Sequence, residues 1–253
     1  DVTEWYGGLG NNIITKTIKG MDSYYRMNIL QKKVDGIIAI SSYLSNYYSH
    51  YVKVVVIPPV VDVTDKKWEA SELPEESNRL RFVYAGTPGV HKDKINYIIK
   101  FLAETDPADY LMDVFGITKE KYLSYYPEDK DIVQRLKDKV VFHGNVTHIE
   151  TIDNLKRADF SAFYREKNRV TMAGFPTKFV ESISCGVPVI TTRTSDIDQY
   201  LQDEVNGFFI DNIEKDLKKI FEYDREYLKN MKKNVNKYLF DYHKYIDIMK
   251  KLF

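Results

Sequence analysis

From residue 80 onward, short apolar runs alternate with stretches of helical spacing. LRFVYAG (80–86), YLMDVFG (110–116), VVFHG (140–144), DFSAFY (159–164), VPVITT (187–192) and GFFI (207–210) have strand length and are apolar at nearly every position. Strands that alternate apolar and polar residues have one wet face; continuous runs predict strands covered on both faces. The intervening segments 94–103, 119–126, 131–138, 150–158, 177–185 and 197–202 carry helical spacing. Strand and helix alternating at this interval predict a Rossmann-like α/β fold, a parallel sheet with helices on both faces. Before residue 58 the pattern is shorter: a helix over 22–33, a strand over 36–40, a helix opened by serines suited to an N-cap, and a strand over 52–57. The proline- and charge-rich segment from Pro58 to Arg79 has no period, and a domain boundary is expected near Pro58–Pro59. Residues 212–253 read as helical, rich in lysine and tyrosine.

Composition narrows the class. Lys plus Arg and Asp plus Glu each number 37, so there is no basic surplus of the kind nucleic-acid binding needs, and no nucleic-acid partner is expected. The single cysteine, Cys185, cannot form an internal disulfide. No apolar run reaches the ~20 residues of a membrane span, and no secretory leader is visible at the start, so a cytoplasmic location is expected. The chain opens on Asp1 rather than methionine, as expected for a start internal to a longer protein.

Two strand-to-helix loops are suited to anions. In GTPGVHKD (86–93), Gly86 and Gly89 allow a tight turn, and Lys92 stands at the approach to a helix whose N–H groups favour negative charge. The loop lacks the spacing of a Walker A or dinucleotide fingerprint, and an ordinary turn with an exposed lysine fits it equally. In AGFPTKFVESISCGVPVI (173–190), Pro176 suits a helix start and Gly186 a helix stop. Lys178 and Glu181 share one side of that helix. A lysine in a first turn opposes the helix dipole unless an anion accompanies it, and an ionised carboxylate accepts two hydrogen bonds, as a sugar diol offers. A Lys178–Glu181 surface pair is the other reading.

Taken in order, IIAISSYL, VIPPVVD, YAGTPGVHKD, VVFHGNV, AGFPTKFVESISCGVPVI and SDIDQYLQDEVNGFFI resemble a family 4 glycosyltransferase of GT-B architecture, in its C-terminal, donor-binding half, close to members that build bacterial surface polysaccharides. The resemblance implies a remnant of the N-terminal, acceptor-side domain over 1–57, a nucleotide-sugar-binding domain over 58–225, and C-terminal helices over 226–253 crossing back toward the N-terminal part. It implies retaining transfer from a nucleotide-diphosphate sugar to a glycan or lipid-linked acceptor, with no cofactor and no obligatory metal. By position, Gly86 ends the first donor-domain strand, Lys92 meets the diphosphate, Gly174 and Phe175 offer backbone amides to diphosphate and sugar, and Glu181 holds the ribose, with Lys178 facing phosphate. The first glutamate of the family's E-x7-E pattern is replaced by Ala173, and Thr87 stands where an arginine is frequent. Arg165, Asn168 and Arg169 are candidates for the sugar or phosphate contacts instead. Only residues 1–57 are left for the acceptor half, so the chain alone is expected to transfer poorly.

Other readings stay open. A nucleotide-sugar epimerase or a noncatalytic partner subunit would carry much the same pattern. Asp129-Lys-Asp131 and Asp196-Ile-Asp198 spell D-x-D, the metal-binding pattern of another transferase class, although caps and turns explain them as well. His91, His143 and His148 are scattered, with half-buried packing expected of His143, and Ser184 and Cys185 are expected to pack their helix on the sheet. The basic, aromatic tail fits either peripheral association with the inner face of a membrane or the helix that crosses back.

Overall fold

The computed structural model describes residues 1–6, 13–69, 79–88, 92–105 and 109–253. Six parallel strands form the main sheet: β3 (Leu80–Ala85), β4 (Tyr110–Phe115), β5 (Val140–Gly144), β6 (Phe160–Ala162), β7 (Val189–Thr191) and β8 (Gly207–Phe209). They lie in the order β5-β4-β3-β6-β7-β8. The chain therefore winds outward from β3 through β4 and β5, returns to the other side of β3, and winds outward again. The reversal falls between β3 and β6, where an open α/β sheet leaves a crevice at the carboxyl ends of its strands.

Both faces are covered, as the continuous apolar runs predict. Along β3, Phe82 and Tyr84 join the larger core with Ile95, Ile98 and Ile99 of α3 (Ile95–Glu104), while Val83 and Ala85 join a smaller core with Ile152 and Leu155 of α6 (His148–Arg157). At roughly 25 cal/mol per Å² of apolar surface removed from water, two such cores are the main stabilising term of the fold. Capping fixes where helices begin. Thr147 accepts from the Glu150 N–H and Glu150 reaches back, a capping box that starts α6 two residues before the pattern suggests. α8 runs Thr177–Ser184, stopped at Gly186 with φ +72°.

A smaller parallel pair, β1 (Gly36–Ala39) and β2 (Lys53–Val56), stands apart from the main sheet. Val2 adds an outer rung: its N–H donates to Ile38 O at 2.8 Å and its carbonyl accepts from the Ile40 N–H at 3.1 Å. Between the two strands lies α2 (Ser42–Tyr48), N-capped by Ser41 as its serines suggest. The first helix departs from the sequence pattern. α1 spans Ile13–Tyr25 with no buried residue, opens into a π turn over Arg26–Leu30 that buries Met27, and tightens over Gln31–Lys33. Ala173, at the end of α7 (Arg169–Ala173), packs into the small core of this unit with Val2, Leu44 and Tyr48. Ser41 Oγ donates to the Ala173 carbonyl at 2.6 Å, tying the unit to the loop after β6. At the other end α11 (Ile246–Lys250) packs on β2, and Leu252 lies close against Gly36.

Candidate functional site

The crevice between β3 and β6 opens into a cavity of about 560 Å³. Ala85, Gly86 and Thr87 line it from the tip of β3, Gly116 from β4, Asn145 and His148 from the loop and helix after β5. Arg165 lines it from the loop after β6, and Thr177, Lys178 and Glu181 from the first turns of α8. The two glycines are required by close approach. Gly116 has φ +92°, and a Cβ there would lie 2.3 Å from the Gly86 carbonyl oxygen; Gly86 has φ +136°, and a Cβ there would meet Lys178 Nζ at 3.1 Å.

The electrostatic centre is one buried carboxylate between two cations. Asp93 accepts from Arg165 Nε at 2.6 Å and from the Tyr84 hydroxyl at 2.9 Å, and it is ion-paired with Lys178, whose Nζ also donates to Tyr84 Oη at 2.9 Å. Lys178 is only 7% exposed. Burial alone would push the Asp93 carboxyl up, but Lys178 and Arg165 outweigh it and hold Asp93 below the ordinary carboxylate range. Burial pushes the Lys178 amine down, Asp93 working against that shift. One carboxylate facing two cations leaves a surplus positive charge beside the cavity. The reading of Lys178 as a surface pair with Glu181 is therefore corrected: its helix turns it into the sheet tip, where Asp93 supplies the compensating anion.

Glu181 faces the cavity one turn further along α8, its Oε1 3.0 Å from His148 Nε2. No side chain caps α8, since Pro176 occupies its N-cap; the Phe179 N–H donates to the Pro176 carbonyl at 3.0 Å, and Thr177 and Lys178 of the first turn line the cavity. The start of α3 offers less than expected, because the Lys94 N–H donates to Tyr164 O at 2.8 Å and an Asp93–Arg165 bridge stitches the two loops together. Lys92 lines the cavity and pairs with Glu4 at 2.6 Å, both side chains about half exposed. Gly89 and His91 lie outside the described residues.

A smaller cavity of about 190 Å³ adjoins the first, sharing Lys92, Arg165 and Thr177 and adding Thr3, Glu4, Gly174 and Phe175. The Gly174 N–H donates to Val170 O at 3.0 Å and closes α7, so that amide is not offered to a ligand. The Phe175 ring is buried against Phe179, Tyr200 and Phe240. Asn168 caps α7, and Ala173 is fully buried. Arg169 is not in the crevice at all: its guanidinium lies 4.9 Å from the Trp5 ring centroid, on a third cavity.

The remaining candidates are engaged elsewhere. His143 stacks on Phe115 and lies 2.7 Å from Asp113. Asp129 is buried and accepts from Tyr122 at 2.6 Å, and Asp196 accepts from the Ser42 N–H at 2.6 Å. Among the described residues no group of three or more His, Cys, Asp or Glu is arranged to hold a metal. Ser184 is buried, and burial pushes the Cys185 thiol up to about 12. No helix among the described residues is long and apolar enough to cross a membrane. Sequence reasoning missed Asp93, Tyr84 and His148 as site residues. The signal for Asp93 was an acidic residue directly after a loop lysine, which spacing alone does not distinguish from a helix cap.

The fold is shared with several solved structures. The Anabaena protein Alr3699/HepE, solved with UDP and glucose, superposes with a TM-score of 0.69 over 89% of this chain and 64% of its own, at 17% identity. Sucrose-phosphate synthase from Thermosynechococcus elongatus gives 0.66 over 96% of this chain and 61% of its own, at 16% identity. TarM gives 0.65 over 99% of this chain and 49% of its own, at 13% identity. The chain thus spans less than two thirds of the length of these structures. No curated protein sequence matches it. The family description "Glycosyl transferases group 1" matches residues 66–238, which contain all six strands of the main sheet and every group around the crevice except Glu4. This chain belongs to the group 1 glycosyl transferases.

Proposed function

We propose that the chain is the donor-binding part of a family 4 glycosyltransferase that moves a sugar, with retention, from a nucleotide diphosphate to a glycan or lipid-linked acceptor in surface polysaccharide synthesis. One observation carries the reading: Glu181, the uncapped start of α8, and the cations Lys92, Arg165 and Lys178 converge on a single cavity at the reversal of the sheet. A ribose diol can donate to Glu181, which His148 orients. The diphosphate is placed against the α8 N–H groups and the surplus charge of the Asp93 cluster, with Lys92 exchanging Glu4 for phosphate. Transfer then needs chiefly positioning and stabilisation of the charge that develops on the leaving diphosphate, which fixed cations at a desolvated sheet tip supply. Alr3699/HepE has been solved with UDP and with UDP-glucose, which favours a uridine nucleotide. The proposed transfer uses no obligatory metal and is expected to survive chelation. Residues 1–57 are proposed as the acceptor-side remnant, and transfer by the chain alone as weak. Calorimetric titration of UDP and GDP into wild type and Glu181→Ala tests the site. Loss of the ribose hydrogen bonds is expected to cost about 1.5–3 kcal/mol, roughly ten- to hundredfold in affinity; equal affinity of the two proteins would overturn it.

A further inference from the structure

The cavity on which Arg169 lies has a volume of about 540 Å³ and a different character from the crevice. Its walls are aromatic. Trp5 meets Tyr43 and Tyr47 edge-on, with ring centroids 6.0 and 5.0 Å apart, and Tyr24 of α1, 67% exposed, also lines the cavity. Its polar groups are few and fixed: Asn28 in the π turn accepts from Tyr47 at 2.6 Å and donates to the Tyr24 carbonyl at 3.0 Å. A wide helical turn at this place is itself a common mark of a functional position. No carboxylate lines the cavity among the described residues, and Arg169 has no carboxylate partner among them either. Its guanidinium lies over the Trp5 ring instead of in a salt bridge.

The cavity is also placed to communicate with the crevice. Arg169 is followed directly by Val170, and Trp5 preceded directly by Glu4; Val170 and Glu4 both line the small cavity that shares Lys92 and Arg165 with the crevice. The Val2 rung on β1 and the Lys92–Glu4 pair fix the segment between them.

We infer that this aromatic cavity is a subsite for a pyranose ring that carries a negative charge, a carboxylate or a phosphate, at the acceptor end of the reaction. This rests on the donor reading of the neighbouring crevice. Sugar rings present apolar C–H faces that pack on aromatic side chains, and their hydroxyls suit planar amide groups. An unpaired guanidinium at such a wall selects for the anionic member of a sugar series, because a two-point contact with carboxylate or phosphate is the pairing its geometry fits.

Calorimetry and indole fluorescence with three probes, methyl glucuronide, glucose 1-phosphate and methyl glucoside, test this in the full chain. At least one charged probe is expected to bind about tenfold or more tightly than the neutral glucoside; which one does identifies the anion as carboxylate or phosphate. Arg169→Gln is expected to abolish that advantage and leave the glucoside unaffected, while Tyr24→Ala weakens every probe that binds. UDP affinity, measured in parallel, is expected to be the same in wild type and both variants, so a failed donor site shows as lost UDP binding in wild type and is separate from failure here. The inference is overturned if no probe binds, if charged and neutral probes bind alike, if Arg169→Gln keeps the preference, or if that variant weakens UDP as much as the charged sugar.

Discussion

The crevice at the sheet reversal and the aromatic cavity beside α1 are built on opposite principles. The crevice is set by interior residues: Asp93 and Lys178 are buried, Tyr84 is wholly enclosed, and glycine backbones touch at Gly86 and Gly116. Its chemistry and its stability are therefore the same set of contacts. The aromatic cavity borrows one wall from a helix with no buried residue, whose Ile13 and Ile18 are 84% and 62% exposed. On that wall Tyr24 is free to serve a ligand, whereas Trp5, Tyr43 and Tyr47 on the other wall pack against the small core. Substitutions in the crevice should therefore alter folding and binding together, whereas those on the α1 wall of the cavity should separate the two.

The strongest way to break this contrast is Asp93→Asn. It leaves the buried Lys178 and the partly buried Arg165 without their common anion, and removing one partner of such a cluster costs about 3–5 kcal/mol. Urea denaturation should show that loss, together with loss of UDP binding. The acid limb should change as well. Asp93 is held below its unfolded carboxyl value, so the stability it supplies is complete above about pH 4 and is lost as pH falls through the lower folded value. Wild type should therefore lose stability on acidification over that interval more steeply than the variant. A stable Asp93→Asn protein that still binds UDP would show that the cluster does not organise the crevice.

Next in size is Gly116→Ala. The added Cβ would overlap the Gly86 carbonyl at 2.3 Å in a backbone region that L side chains avoid, so a loss of about 1–3 kcal/mol is expected. Because the displaced atom belongs to the cavity wall, UDP affinity should fall with it. Unchanged affinity at reduced stability would mean that the strand tips can move without disturbing the ligand site.

Legibility in the sequence follows the same division. The strands were readable because burial on both faces leaves no polar alternation: each of the six runs from 80 to 210 contains an observed strand. Lys92, singled out in a loop after a strand, and Glu181, assigned a role by the resemblance, both line the crevice. The setting of Lys178 was not readable, since whether a first-turn lysine meets solvent or a buried aspartate depends on Asp93, 85 residues away. α1 was half hidden, because its apolar residues face outward and give no buried period from which to fix its start. Arg169 was placed with Arg165 for being four residues along the same loop, yet the five-residue α7 turns it away from the crevice.

His148→Ala sharpens the contrast from the ligand side. His148 is about half exposed and its side chain meets Glu181 at 3.0 Å, so stability should change by no more than about 0.5 kcal/mol. If His148 orients the carboxylate for the ribose, UDP affinity should drop about three- to tenfold, the size of one ordinary hydrogen bond. In a Glu181→Ala background the same His148→Ala change should then have no further effect. Additive effects in that double-mutant cycle would show that the two residues act apart.

The smallest expected effect tests the other region. Ile18→Ser replaces an apolar side chain that is 62% exposed on α1. If that face is uncovered in the isolated chain, thermal unfolding should move by less than about 0.5 kcal/mol, since a largely hydrated side chain returns little on removal. The same change should leave UDP titration unaltered, because Ile18 lines neither the crevice nor the aromatic cavity. A loss of about 2 kcal/mol or more, the scale of a core truncation, would mean that α1 is buried in solution by another copy of the chain, and sedimentation of wild type against the variant would then show the dimer dissociating. That result would overturn the view that the two regions differ in how far the fold depends on them.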